Sequence, residues 1–190
     1  SNQILQRIQE KKDIKRDLKK AKMMTLTVGG NDVIHVIKDN ITNLNVNTFS
    51  KPAVEYQKRL RHIIELARKD NKTLPIYIVG IYNPFYLNFP EMTEMQTIVD
   101  NWNQSTEDVC KEYDNVYFVP VNDLLYKGID GKGGVTSSHE TSQSTKSSQG
   151  SLNDALFEDD HFHPNNTGYQ IMSDAILKRI NQTKKEWSGE

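Results

Sequence analysis

Three runs of consecutive apolar residues set the strongest limit on what this chain can become. They are "MMTLTVGG" from Met23, "LPIYIVGIYNP" from Leu74 and "NVYFVPVNDLL" from Asn115. A strand covered on both faces has no polar side, so it reads as an unbroken apolar run rather than as alternation. The stretches between the runs carry helical spacing instead. Pro52 suits a first helical turn, with Val54, Leu60, Ile63, Ile64 and Ala67 as the stripe behind it. A second helix is expected from about Glu91 to Tyr113, with Met95, Ile98, Trp102, Val109 and Cys110 towards the core. A last helix from about Asn166 to Ile180 would bury Tyr169, Met172, Ile176 and Ile180. Ahead of the first run, residues 3–22 read as one helix. There Ile4, Leu5, Ile8, Ile14, Leu18 and Ala21 lie near helical spacing, beneath a solvated, mostly basic face. Apolar strands joined by helical crossovers predict a single α/β layered domain over residues 1–190 with a parallel sheet.

Composition narrows the function classes. The formal charge of −1 gives no electrostatic footprint for nucleic acid. A single cysteine, Cys110, excludes an intrachain disulfide and a multi-cysteine metal site. No apolar run approaches the ~20 residues that cross a bilayer. The segment "GIDGKGGVTSSHETSQSTKSSQGS" has almost nothing to bury, and residues 131–151 are expected to form a flexible surface loop or a lid.

In parallel α/β sheets, ligands sit beyond the carboxyl ends of the strands. Three segments converge on that edge. Gly29-Gly30-Asn31-Asp32 follows the first run, and Tyr82-Asn83-Pro84-Phe85 follows the second. The turn in "LFEDDHFHPNNTGY" precedes the last helix. An Asp three residues before a His can bring its carboxylate to the imidazole Nδ1–H, fixing the tautomer and stabilising the imidazolium. Pro164 holds His163 extended. Asp160 and His163 thus read as orienter and base, or else as a turn cap and a surface histidine. Asn31, placed after two glycines that let the backbone turn tightly, offers a neutral N–H donor for an oxyanion or forms an ordinary Gly-Asn turn. Asp32 would brace that loop. Tyr82, Asn83 and Phe85 are candidates to meet the substrate.

"VGGNDVI" followed by "DDHFHPNNTGY" resembles two conserved blocks of the SGNH (GDSL-type) hydrolases, in particular the lipase/acylhydrolase-like branch of Gram-positive bacteria. The family patterns G-x-N-D and D-x-x-H appear in the family order. The resemblance implies a three-layer α/β/α, flavodoxin-like parallel sheet. It also implies an ester substrate (an acyl ester or an acetylated sugar), no cofactor, and a secreted or cell-surface location. It assigns His163 and Asp160 to the catalytic set and Asn31 to the oxyanion hole, with Gly29, Gly30 and Asp32 in the site loop. The family's Gly-Asp-Ser nucleophile block does not occur in these 190 residues. Ser50 and Ser105 lie in helical or helix-flanking contexts, and the serines from Ser137 to Ser151 lie in the low-complexity segment. The expectation is therefore the carboxyl-terminal portion of a longer hydrolase, inactive by itself. Its strand Met23–Val28 would then be an unpaired edge that invites a homo-oligomer, unless the first helix shields it.

Two other readings stand beside this one. A metal-dependent phosphoesterase would use Asp159, Asp160, His161 and His163, but His35, His62 and His139 do not complete a dinuclear set. A binding domain with a relic hydrolase cleft is the non-enzymatic alternative.

Overall fold

The computed structural model describes residues 1–39, 45–89, 91–128 and 153–189. The elements in chain order are α1 (Asn2–Glu10), α2 (Lys12–Lys20), β1 (Met24–Thr27), α3 (Gly30–Asp39), a 3-10 turn (Val46–Phe49), α4 (Ser50–Ala67), β2 (Ile76–Val79), α5 (Thr93–Lys111), β3 (Val116–Val119), α6 (Asn122–Leu125) and α7 (Asn166–Trp187). The three strands form a parallel sheet in the order β1-β2-β3, with Met24 opposite Ile76 and Ile76 opposite Val116.

That register sorts the side chains into two layers, since successive strand residues face opposite ways. Leu26, Ile76, Ile78 and Val116 join Tyr56, Leu60, Ile63 and Ile64 of α4 and Ile98, Trp102 and Val109 of α5 in the larger core. Tyr77, Val79, Tyr117 and Val119 face α7 and α6 on the other side, where Leu125 and Ala155 are buried. Helices on both faces make a three-layer α/β/α domain. All four residues of β2 are buried, as a central strand requires.

Several expectations need correction. The first helix is two helices, broken where Lys11 turns extended at φ −87° and ψ 114°. At about 100° per residue, a continuous helix would aim Ile14 some 240° away from Ile8. The break brings both apolar sets back onto the larger core, against which Ile4, Leu5, Ile14 and Leu18 pack. Helices α3 and α6 and the 3-10 turn were not expected. Val54 and Tyr169, placed in apolar stripes by spacing, are 49% and 53% exposed. Helix α7 runs on past Ile180 to Trp187. Its last turns are fixed by polar contacts: Trp187 Nε1 donates to Tyr77 Oη at 2.9 Å, Thr183 Oγ1 lies 2.7 Å from the same hydroxyl, and Tyr117 Oη donates to Glu186 at 2.7 Å.

Strand β1 lies at one edge of the sheet. Only its Leu26 is buried; Thr25 and Thr27 are exposed on the α7 side. Helices α1 and α2 pack against α4. The expected lid, residues 131–151, lies outside the described residues. Among the described residues, no helix is long and apolar enough to cross a membrane.

Candidate active site

The loop after β1 is shaped by Gly29. Its φ is +109°, and a Cβ there would sit 2.9 Å from Trp102 Nε1 and 3.2 Å from Tyr56 Oη. Only glycine combines that backbone angle with so close an approach of the core aromatics. The chain then enters α3 at once, so Asn31 and Asp32 occupy its first turn. The N–H groups of a first helical turn have no carbonyl of their own helix to meet, and they form the positive end of the helix dipole.

Asp32 turns towards α4. Its carboxylate accepts from Arg59 Nη2 at 3.2 Å and from the Ser1 hydroxyl at 2.7 Å. Burial pushes this carboxyl up, but the Ser1 and Arg59 partners outweigh it and hold Asp32 below the usual carboxylate value. Arg59 escaped the sequence reading, because nothing local links it to a partner 27 residues away.

The histidine turn is built from its own atoms. Asp160 Oδ1 accepts from the backbone N–H of Phe162 at 2.9 Å and of His163 at 3.0 Å, and Oδ2 lies 2.6 Å from His163 Nδ1. Phe157 N–H donates to His163 O, and His161, at φ +51°, donates its N–H to Phe157 O, both at 2.9 Å. Asn165 then caps α7, its side-chain oxygen accepting from Gly168 N–H at 3.0 Å. The hydrogen bond from His163 and the two backbone N–H groups draw the Asp160 carboxyl down to about 2.

These pieces meet at an open cleft of about 290 Å³ at the carboxyl ends of β1 and β2. Its lining includes Gly29, Gly30, Asn31 and Asp32 after β1, Gly80, Ile81 and Tyr82 after β2, and Phe162 and His163 of the turn before α7. Ile4 and Met172 add apolar wall. Tyr82 is half-buried, and its hydroxyl donates to Phe162 O at 2.6 Å. Asn83 and Phe85 lie outside the lining. Asn83 is 1% exposed and spent on structure: its N–H donates to Asn122 Oδ1, its side-chain amide to Gln96, and its side-chain oxygen accepts from Phe85 N–H. Phe85 packs its ring against Phe162, centroids 6.0 Å apart.

Ser50 and Ser105 border a different pocket, between α4 and α5. Asp160 and His163 are engaged with each other. Among the described residues, no group of three or more His, Cys, Asp or Glu side chains is gathered as a metal would need.

Comparison with known proteins gives this geometry a context. The GDSL-like Lipase/Acylhydrolase family matches residues 1–171. The uncharacterized protein YpmR of Bacillus subtilis (strain 168) is 30% identical over 186 residues, which is 98% of this chain and 62% of that protein. The chain thus spans less than two thirds of that relative's length. Among solved structures, the lipase Lip_vut3 from a goat rumen metagenome aligns with a TM-score of 0.63 at 17% identity, over 92% of this chain and 70% of that one. At that identity the likeness speaks for the fold. With a family match over most of its length, the chain belongs to the GDSL-like lipase/acylhydrolase family.

Proposed function

We propose that this chain carries the base, the orienting carboxylate and an oxyanion donor of a serine esterase that cleaves carboxylic esters. The observation that carries the reading is the 2.6 Å contact between Asp160 Oδ2 and His163 Nδ1, on a turn whose His163 lines the same cleft as Asn31. With Nδ1–H donated to Asp160, the Nε2 lone pair of His163 accepts the proton of a serine hydroxyl as that oxygen attacks the ester carbonyl. Asp160 stays ionised and stabilises the imidazolium. The negative charge that develops on the carbonyl oxygen is met by the Asn31 side-chain N–H and the first turn of α3. Such donors are worth about 3–4 kcal/mol in the transition state. His163 then returns its proton to the leaving alcohol, and water repeats the sequence on the acyl-enzyme. The apolar wall of Ile4, Ile81 and Met172 favours a small acyl group, the acetyl of an acetylated sugar included.

The family's Gly-Asp-Ser block does not occur in these 190 residues. On this reading the 190-residue chain shows no ester turnover, because base and donor cannot replace the covalent step. The test compares hydrolysis of p-nitrophenyl acetate by this chain and by the same polypeptide extended with its native upstream segment. The extended protein should turn over, and His163→Ala should abolish that turnover. Robust hydrolysis by the 190-residue chain would sink the assignment. The edge position of β1, which no other strand covers among the described residues, supports a second partner, another copy of this chain.

A further inference from the structure

We infer that Tyr82 is a positioning residue that sets where the Asp160–His163 turn stands relative to Asn31; this rests on the esterase reading above. The dyad is unusually exposed for a working pair: the side chains of His163 and Asp160 are 62% and 43% accessible. Burial therefore does little to hold the imidazole in place. The hydrogen bonds of residues 157–163 give the turn its shape, but most of them begin and end inside it. They fix Asp160 against His163 without fixing either against the sheet.

Among the described residues, one hydrogen bond ties the turn to the strand ends. The Tyr82 hydroxyl donates to Phe162 O at 2.6 Å, across 80 residues of sequence. Phe162 directly precedes His163, so its carbonyl is part of the peptide unit that carries the base. Tyr82 itself is anchored two residues beyond Gly80 at the end of β2. Its neighbour Ile81 is pinned on both sides, its N–H donating to Asn103 Oδ1 and its carbonyl accepting from Asn103 Nδ2, both at 2.8 Å. The Phe85 ring adds a second, apolar hold on Phe162. β2 is the central strand and pairs residue by residue with β1, whose end leads to Asn31. The β1–β2 ladder, the backbone from Val79 to Tyr82 and the Tyr82–Phe162 hydrogen bond thus connect the strand that leads to Asn31 with the peptide unit before His163. Burial and the nearby charges of Tyr169 and Asp160 raise the Tyr82 phenol, which keeps it a donor wherever His163 works as a base.

The roles of dyad and tether separate experimentally. Tyr82→Phe keeps the ring and removes only the hydroxyl. In the upstream-extended protein it should lower kcat about tenfold while KM stays within about twofold, because the base is displaced and the acyl wall is not. The acid limb of the pH profile should not move, since the Asp160–His163 contact lies inside the turn. In the 190-residue chain, NOEs between the Phe162 and Phe85 rings should weaken at least twofold, while exchange of the turn's own amides and α7 stays unchanged. A kcat within twofold of wild type, or unchanged Phe162–Phe85 NOEs, overturns the inference. Retained activity in His163→Ala would instead overturn the esterase reading, leaving the Phe162–Phe85 NOEs in the 190-residue chain to decide the tether.

Discussion

Asp160 holds His163 twice: Oδ2 meets the ring Nδ1 at 2.6 Å, and Oδ1 accepts the backbone N–H at 3.0 Å. The carboxylate therefore depends on the fold of its own turn, and the turn depends on the carboxylate. With a folded value of about 2, Asp160 lies below the ~3.9 of a free aspartate. A depressed carboxylate contributes stability that is full above the unfolded value and is lost as pH falls through the folded one. Carboxyl-carbon NMR should give an Asp160 midpoint near pH 2, with the turn loosening only below about pH 4. An Asp160 midpoint at the free-aspartate value would contradict the contact.

Gly168 stands where α7 crosses the turn. A Cβ there would collide with the Ala155 carbonyl oxygen and lie 2.8 Å from Pro164 Cβ. That carbonyl cannot swing away freely, because it accepts the Asn165 N–H at 3.0 Å. Alanine's better helix propensity is worth about 1 kcal/mol, against about 1–3 kcal/mol or more for overpacking. Gly168→Ala should therefore lower stability by roughly 1–2 kcal/mol in urea unfolding. A variant as stable as wild type would show that the turn yields.

Among the described residues, no strand pairs with the outer side of β1, where Thr25 and Thr27 are exposed. Such an edge has no charge or proline to blunt it. Light scattering should find self-association that rises with concentration, and Thr25→Lys should suppress it without harming the core. Leu26→Lys is the poorer probe, since Leu26 is 6% exposed and its loss would damage the fold itself. A wild-type monomer at high concentration would remove the homo-oligomer proposal.

Cys110 is buried in the larger core, and burial pushes its thiol up to about 12. The native protein should leave Ellman's reagent unreacted for hours, then release one equivalent on unfolding in guanidinium. Rapid native labelling would mean that α5 opens locally.

The strands were legible because each is an apolar run too short for a helix, and the α5 core residues because their spacing keeps one face. What escaped has a common cause. The last turns of α7 pack through Thr183, Glu186 and Trp187, whose partners Tyr77 and Tyr117 lie on distant strands. No periodicity announces such contacts. The break at Lys11 was written in the phase jump from Ile8 to Ile14, yet the individual spacings looked helical. In the cleft, Asp160 and His163 were readable because their contact spans three residues. Tyr82 was visible only as an aromatic at a strand end, since its partner lies 80 positions away. Asn83 was readable only as a polar residue at a strand end, since the partners that satisfy its buried amide, Asn122, Gln96 and Phe85, are set by the fold.

Residues on either side of 129–152 are stitched to each other. Asn153 Nδ2 donates to Leu125 O at 2.7 Å, and a Cβ on Gly128 would come within 3.3 Å of Asn153 Oδ1. Leu125 and Gly128 thus lie beside Asn153, so residues 129–152 connect neighbouring points of the fold. Each halving of that length would change the closure entropy by only about 0.6 kcal/mol. A foreign domain spliced between Gly128 and Asn153 should leave the histidine turn standing where it is.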